Sequence, residues 1–441
     1  MNPDQGPDLS SLYQRTATGV KLGLETTRRL LARMADPQQV YPCIHVAGTN
    51  GKGSVCAMIA SVLQAAGCRT GLYTSPHLVR FNERIRVDGR VITDAELAGL
   101  LAEVDLQDQA QSHEAGARLA TFFEFTTVLA LEYFRRQRVE VVVLETGLGG
   151  RLDATNVVTP LLSIITPVGL EHTAYLGDTL SAVAAEKAGI IKPNCPVICA
   201  AQEDAAMEVL IRTARERRAP LIQASSLVSV QRRKNDWSGQ TIKIETESAS
   251  YPPIRLPLLG RHQLDNTATA VAALQCLQDA GCFSIDDQAL KKGLEAVAWP
   301  ARLQVLEQDP PIVLDAAHNP HAAGRLVESL EELAGKRPLA LIAGLLADKD
   351  AKGFFQAFGH RIRKTWLVSV KCDRAMPMDR MLADAASIGM EAQPGNLPDV
   401  LAEARAWARR EKGVVCIAGS LYLAGEVLAL IGWKEASHEN H

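Results

Sequence analysis

Along the chain, short apolar runs alternate with stretches whose apolar positions recur every three or four residues. YPCIHVAG, VEVVVLETG, LLSIITPVG and CPVICAA read as strands with no polar face. Each is followed by a glycine turn or by helical periodicity, as in SVCAMIASVLQAAG after the first. Strands apolar on both sides predict a mostly parallel sheet with helices on both faces. From about Ser225 the texture changes. SLVSVQRRKNDWSGQTIKIETESASYPPIRLPL alternates polar and apolar residues around a turn at Asp236 to Gly239, which predicts an antiparallel flap of two or three strands. Helical sequence returns at QLDNTATAVAALQCLQDAG and is broken by Trp-Pro in AWPARLQ, Ala298 to Gln304. Beyond it, PPIVLDAAHNP, RPLALIAGLL, KTWLVSV and GVVCIAGS supply a second set of parallel-type strands. A chain of 441 residues exceeds the usual size of one core. The expectation is an α/β protein of two domains, 1–297 with the small β flap and 304–441, joined by a linker at 298–303.

Composition narrows the function. With 47 basic against 50 acidic residues there is no positive excess to hold a phosphate backbone, so nucleic acid is not an expected partner. The first thirty residues lack the apolar run of a signal peptide, and no later segment has the unbroken apolar length of a membrane span. A cytoplasmic protein with no membrane partner is expected. Nine cysteines, scattered without a C-x-x-C pair, read as reduced thiols in largely apolar surroundings.

Four stretches carry candidate chemistry. HVAGTNGKGS, His45 to Ser54, resembles a phosphate loop: a glycine-dense turn between a buried strand and a helix whose N-terminus offers amide groups and a positive dipole end. Its spacing is irregular, since Val46 stands where the first glycine belongs and Gly53 follows Lys52 where a metal-binding hydroxyl is usual. A glycine-rich connection without a ligand is the alternative. VEVVVLETGLGGRLDATN ends a strand in Glu145, at the sheet end where α/β folds bind ligands, and a carboxylate there suits Mg²⁺ or a turn cap. ITPVGLEHTAYLGDTLSAVAAEKAGIIKP delivers Glu171 and His172 into a loop, followed by a helix with Asp178 as expected N-cap and Lys187 in its last turn. His172 fits a metal ligand or a hydrogen-bonded loop residue. VLDAAHNPHAAG places Asp315, His318 and Asn319 past a strand of the second domain, as a binding rim or as turn chemistry.

Taken in order, GTNGKGS, TSPHLVRFNERIRV, TFFEFTT, ETGLGGRLDATN, GLEHTAYLGDTL, EKAGIIKP, GRHQLDNTATA, DAAHNP and GSLYLAGEV resemble the folylpolyglutamate synthases and bifunctional dihydrofolate synthase/folylpolyglutamate synthases of the Mur ligase superfamily. The resemblance covers nearly the whole chain. It implies a P-loop-type ATP-binding first domain and a Rossmann-like second domain. The implied reaction is ATP-dependent ligation of L-glutamate to dihydropteroate and reduced folates through an acyl phosphate, by a monomer.

The resemblance also implies roles. Gly48, Thr49, Asn50, Gly51, Lys52, Gly53 and Ser54 serve the ATP phosphates. Ser75, Glu145 and His172 hold Mg²⁺, with Lys187 joining them as a carbamate; two ions are expected, and a potassium-type ion assists similar enzymes. Asn266, Arg302 and Asp315 match ATP contacts. His318 and Ser420 match the glutamate end, and Lys52, Lys187, Arg302 and His318 form the catalytic set. For the pterin it points to Gly19, Val20 and Lys21, to Phe123, Glu124 and Phe125, and to Leu152, Asp153 and Ala154; the phenylalanines fit a helix core equally well. Two positions depart from the family pattern: Glu171 where Asp is common, and Ala301 where Gly is common. A monofunctional folylpolyglutamate synthase is the alternative. A cell-wall ligase for UDP-sugar peptides is disfavoured because no uridine-nucleotide domain precedes the loop at Gly48. A non-catalytic nucleotide-binding module is disfavoured by the acid, His and Lys set.

Overall fold

A computed structural model describes residues 7–19 and 21–433. The chain forms two units. One runs to Val230 and adds Ile244–Tyr251 and Asp265–Leu294; the other combines Gln231–Lys243, Pro252–Leu264 and the chain from Glu295 onward.

The first unit is built on Cys43–Ala47 (β1), Thr70–Tyr73 (β2), Ile85–Val87 (β3), Arg90–Val91 (β4), Val141–Glu145 (β5), Leu162–Ile165 (β6), Val197–Cys199 (β7) and Leu221–Gln223 (β8). Their order in the sheet is β4-β3-β2-β5-β1-β6-β7-β8. From β2 to β8 all pairings are parallel, while β3 and β4 add an antiparallel edge. Every residue of β1 and β5 is buried, which is why both read as unbroken apolar runs. Because β1 lies between β5 and β6, it sits where the connections diverge to opposite sides, the position at which open α/β sheets bind ligands. Val46 is level with Glu145, and Ala47 with Ile165, so three strand ends open side by side.

The flap consists of Val228–Asp236 (β9), Gly239–Thr246 (β10) and Ile254–Leu256 (β11), with Trp237 and Ser238 in the expected turn. Its turn end belongs to the second unit for physical reasons. Glu332 pairs with Arg232 at 2.7 Å and with Arg261, Gln240 donates to the carbonyls of Leu258 and Gly260, and Trp237 packs beside Leu259 and Leu303 in the second core. The second unit holds Gln304–Gln308 (β12), Pro311–Leu314 (β13), Leu339–Ala343 (β14), Ile362–Val368 (β15), Gln393–Gly395 (β16) and Val414–Ala418 (β17), in the order β12-β13-β17-β14-β15-β16. Only β12 runs antiparallel to its neighbour.

Helix starts follow their caps. Thr93 and Thr121 form capping boxes with Glu96 and Glu124. The helix carrying Lys187, Leu180–Ala188, is capped by Thr179, whose hydroxyl accepts from the Ala182 amide at 3.2 Å. This corrects the expectation of Asp178: the neighbouring threonine reaches the first turn. All nine cysteines are unpaired; Cys43, Cys56, Cys199 and Cys416 are buried and Cys282 is exposed. Among the described residues no helix is long and apolar enough to cross a membrane.

Candidate active site

The loop after β1 is held from below. The amides of Thr49 and Asn50 donate to the carbonyl of Pro167 at 2.9 and 3.2 Å, and the Thr49 hydroxyl bridges the backbone of Gly169. Gly48 has φ +151°, and a Cβ there would lie 1.8 Å from the Thr166 hydroxyl oxygen. Only glycine lets β6's continuation come this close, which explains why the turn is glycine-dense. Gly51 then starts the helix Lys52–Ala65, whose first-turn amides have no intrahelical acceptors.

Two lysines converge on this loop. The Lys52 ammonium donates to the carbonyls of Gly48 and Thr49 at 3.0 and 3.3 Å. Lys187, 3% exposed, donates to the same Gly48 carbonyl at 2.8 Å. Burial lowers the Lys187 pKa to about 7, the Lys52 charge adds to the depression, and Glu171 and Asp153 oppose it. Glu171, the departure noted in the sequence, thus acts on Lys187.

The GLGGRLDATN turn seats the Lys187 helix. A Cβ on Gly150 would lie 2.8 Å from the carbonyl oxygens of Glu186 and Lys187. The Arg151 amide donates to Glu186 at 2.7 Å, and the Asn156 side chain to Gly189 at 3.1 Å. Asp153, 4% exposed, accepts from the amides of Gly147, Leu148 and Thr155. Burial nonetheless pushes its pKa up, against these hydrogen bonds. Its carboxylate therefore shapes the turn, leaving half-buried Leu152 and buried Ala154 beside it.

Glu145, 4% exposed at the end of β5, accepts from the Ser75 amide at 3.1 Å. The Ser75 segment and a buried carboxylate are thereby brought together. His172 takes a left-handed conformation, φ +51°, and its Nε2 lies 3.7 Å from Glu171. Among the described residues no three His, Cys, Asp or Glu side chains are grouped to hold an ion alone. A carboxylate and a hydroxyl, completed by phosphate and water oxygens, is nonetheless how Mg²⁺ is usually held, so the donor chemistry fits that ion.

The expected pterin residues divide. Phe125 is 2% exposed and belongs to the core. The Glu124 carboxylate is occupied by a bidentate pair with Arg118 at 2.7 and 2.8 Å and by the Thr121 amide. Phe123 is half-buried and packs 6.1 Å from the Tyr73 ring. Gly19 and Lys21 are exposed, and Val20 lies outside the described residues. Phe122, which opens the same helix, joins an aromatic surface. Tyr13 stacks on Phe122 at 5.8 Å and 16°, Arg84 lies 5.1 Å over Phe122, and His77 accepts from Arg84 at 2.8 Å. These residues come from three distant segments, so no local signal marks them.

Asn266, 4% exposed, lies in the first unit with its side-chain oxygen 2.4 Å from where a Gly51 Cβ would be. In the second unit, Asp315 accepts from the amides of Leu303 and Ala317, both at 2.7 Å, and so holds the backbone beside Arg302. Burial raises its pKa while Arg302 lowers it. His318 directs Nδ1 to the Ala316 carbonyl at 2.8 Å, which makes Nε2 the acceptor nitrogen of the neutral ring. The Gly419 amide donates to Ala317 at 2.8 Å, bringing the Ser420 end of β17 beside the His318 strand. Ser420 caps the helix Leu421–Leu430.

A glycine-dense loop at the sheet's switch point with two lysines on one carbonyl, and a buried carboxylate ending the neighbouring strand, are the arrangement of a nucleotide-using α/β enzyme. The Mur ligase middle domain matches residues 46–274, and the Mur ligase glutamate ligase domain matches 301–421. A dihydrofolate synthase/folylpolyglutamate synthase of Bacillus subtilis is 34% identical over 426 residues, 95% of this chain and 97% of that one. The chain belongs to the Mur ligase family and, within it, to the dihydrofolate synthase/folylpolyglutamate synthases. Folylpolyglutamate synthase of Mycobacterium tuberculosis, solved with ADP and AMPPCP, matches with a TM-score of 0.89 at 30% identity, covering 97% of this chain and 99% of that chain. Escherichia coli FolC in complex with DHPP and ADP matches with a TM-score of 0.85 at 28% identity, covering 97% and 98%.

Proposed function

We propose that this chain joins the amino group of L-glutamate to the carboxylate of dihydropteroate and of reduced folates, with ATP consumed and ADP and phosphate released. The observation that carries the reading is the convergence of Lys52 and Lys187 on Gly48, at the head of a phosphate loop beside Glu145. The Bacillus subtilis relative, named for both activities, supports it.

In the first step a folate carboxylate oxygen attacks the γ-phosphorus and the bond to ADP breaks. In the second the glutamate amine attacks the acyl-phosphate carbon, phosphate leaves and the amine loses its proton. Both steps bring anions together, so positioning and charge stabilisation dominate. We assign Gly48 to Ser54, with the Lys52 ammonium among them, to the ATP phosphates, and Arg302 to the catalytic set. Asn266 and Asp315 order the nucleotide contacts. We assign His318 and Ser420 to the glutamate end.

Ser75, Glu145, His172 and Lys187 would hold Mg²⁺, which supplies charge neutralisation at the phosphates. Lys187, with a pKa near 7, has the neutral amine needed to attack CO₂; loss of a proton then leaves an anionic carbamate. On the folate side we assign Phe122, Phe123, Tyr13, Leu152 and Ala154 to the ring system, together with Gly19, Val20 and Lys21 from the resemblance. Glu124 and Asp153 hold those surfaces in place. We assign ATP and folate to 1–297 and glutamate to 304–441, with 298–303 as linker; two successive family matches, 46–274 and 301–421, support two domains in that order. A cytoplasmic monomer completes the reading.

The test is a product-mass assay with Mg-ATP and L-glutamate, offering dihydropteroate in one reaction and tetrahydrofolate in another. A glutamate-sized gain in both, matched by ADP, is expected. Gain with tetrahydrofolate alone would reduce the enzyme to a monofunctional synthase, and gain in neither would remove the folate assignment.

A further inference from the structure

The segment Ser10–Thr18 is fastened to the first unit by two side chains. Tyr13 lies on Phe122, as described. Arg15 goes deeper: its guanidinium, 10% exposed, donates to Asp108, to Asp105 at 2.6 Å and to the Ala120 carbonyl at 2.9 Å, and it lies 4.3 Å over the Phe125 ring. Asp108 is fully buried and also accepts from the Ala120 amide at 3.0 and 3.1 Å and from Gln111 at 2.6 Å. One buried carboxylate thus joins three elements: the segment leading to Gly19, the helix Asp94–Ser112, and the entrance to the helix Phe122–Arg136.

A surface tether needs no such arrangement. Burying a guanidinium and a carboxylate is costly unless nearly every hydrogen bond is made, and here the fork is filled by two carboxylates and a carbonyl. The clamp anchors the chain four residues before Gly19, while the same Asp108 holds the backbone of Ala120, two residues before the Phe122 helix. Arg15 itself is turned to Asp108 and Phe125.

We propose that Arg15 is a positioning residue for the folate side of the site, acting through Asp108 to hold Gly19 and Lys21 in register with Phe122 and Phe123. This rests on the functional reading above. Lysine at this position would keep the charge but not the fork, so it reaches one carboxylate at a time.

The experiment compares wild type, Arg15→Met and Arg15→Lys in the full chain, by steady-state kinetics and by hydrogen exchange of residues 10–18. Arg15→Met is expected to raise KM for dihydropteroate or tetrahydrofolate by about tenfold to a hundredfold, the scale of a small misplacement of reacting groups. Arg15→Lys should fall between, and KM for ATP and for glutamate should stay within about twofold in both, since the clamp touches neither. Exchange should quicken at residues 10–18. Folate KM unmoved while kcat falls, or unchanged exchange, would overturn the proposal. If Arg15→Met does not fold, Arg15→Lys and Asp105→Asn, at a carboxylate that is 32% exposed, carry the same test. A wild-type chain that extends neither folate would instead sink the functional reading, while the exchange result would still report whether Arg15 fastens the segment.

Discussion

Lys52 and Lys187 share one acceptor, the carbonyl oxygen of Gly48, at 3.0 and 2.8 Å. Burial first, and the Lys52 charge second, favour the neutral form of Lys187. The neutral fraction of Lys187 rises as pH increases through about 7. With dissolved CO₂ held constant, reactivation of CO₂-stripped enzyme should therefore speed up across that range. Carbon-13 bicarbonate should give a carbamate resonance in the wild type and none in Lys187→Arg, which should lose about a hundredfold in turnover if the carbamate holds the metal. A Lys187→Arg variant with full activity would remove the carbamate from the mechanism.

Gly48→Ala tests the phosphate loop. A methyl group 1.8 Å from the Thr166 hydroxyl oxygen cannot be accommodated, and the backbone at φ +151° disfavours a side chain in any case. The loop must shift, so ATP-dependent turnover should fall about a hundredfold or more, with a stability loss of about 1–3 kcal/mol. ADP-release assays and denaturant melts read the two effects separately.

Ala301 occupies a left-handed conformation, φ +55°, fully buried, with its amide bound to Gln304 and its carbonyl to the Ala316 amide. The family's usual glycine would relieve this strain. Ala301→Gly is expected to stabilise the second unit by about 1 kcal/mol, the cost of a left-handed alanine less the entropy of glycine. A lower denaturation midpoint for the variant would contradict this.

His45, in β1, is fully buried and donates Nε2–H to Thr155 at 2.8 Å. Burial depresses its pKa to about 3. The unfolded chain binds this proton below about pH 6.5 and the folded chain does not, so folding stability should fall as pH drops from there toward 3, by about 1.4 kcal/mol per pH unit. His45→Gln should flatten that slope in urea titrations at stepwise lower pH; an unchanged slope would mean that other groups carry the acid sensitivity.

Much of this protein was legible in one dimension because periodicity and glycine placement are local. The buried strands of both sheets announced themselves as apolar runs, the turn at Trp237 and Ser238 fell where expected, and the glycine-dense turn from β1 into the helix Lys52–Ala65 lay where its sequence placed it. The acid that ends β5 could be marked as a candidate because a strand's last residue must emerge at the sheet's carboxyl end.

Other features depended on residues far apart in the chain. From its own stretch of sequence Lys187 had only the reading of a helix-end cation, the resemblance alone marking it as a metal ligand; its burial against the carbonyl of Gly48 exists only in the fold. Glu124 read as a substrate contact, whereas Arg118 and Thr121 occupy its carboxylate. The stack of Tyr13 on Phe122 and the Arg15 clamp on Asp108 join segments about a hundred residues apart, and the flap's turn is secured by Glu332 of a later helix. Hydrophobic period and turn chemistry are written residue by residue; burial, and with it a depressed lysine pKa or an occupied carboxylate, exists only once distant segments pack.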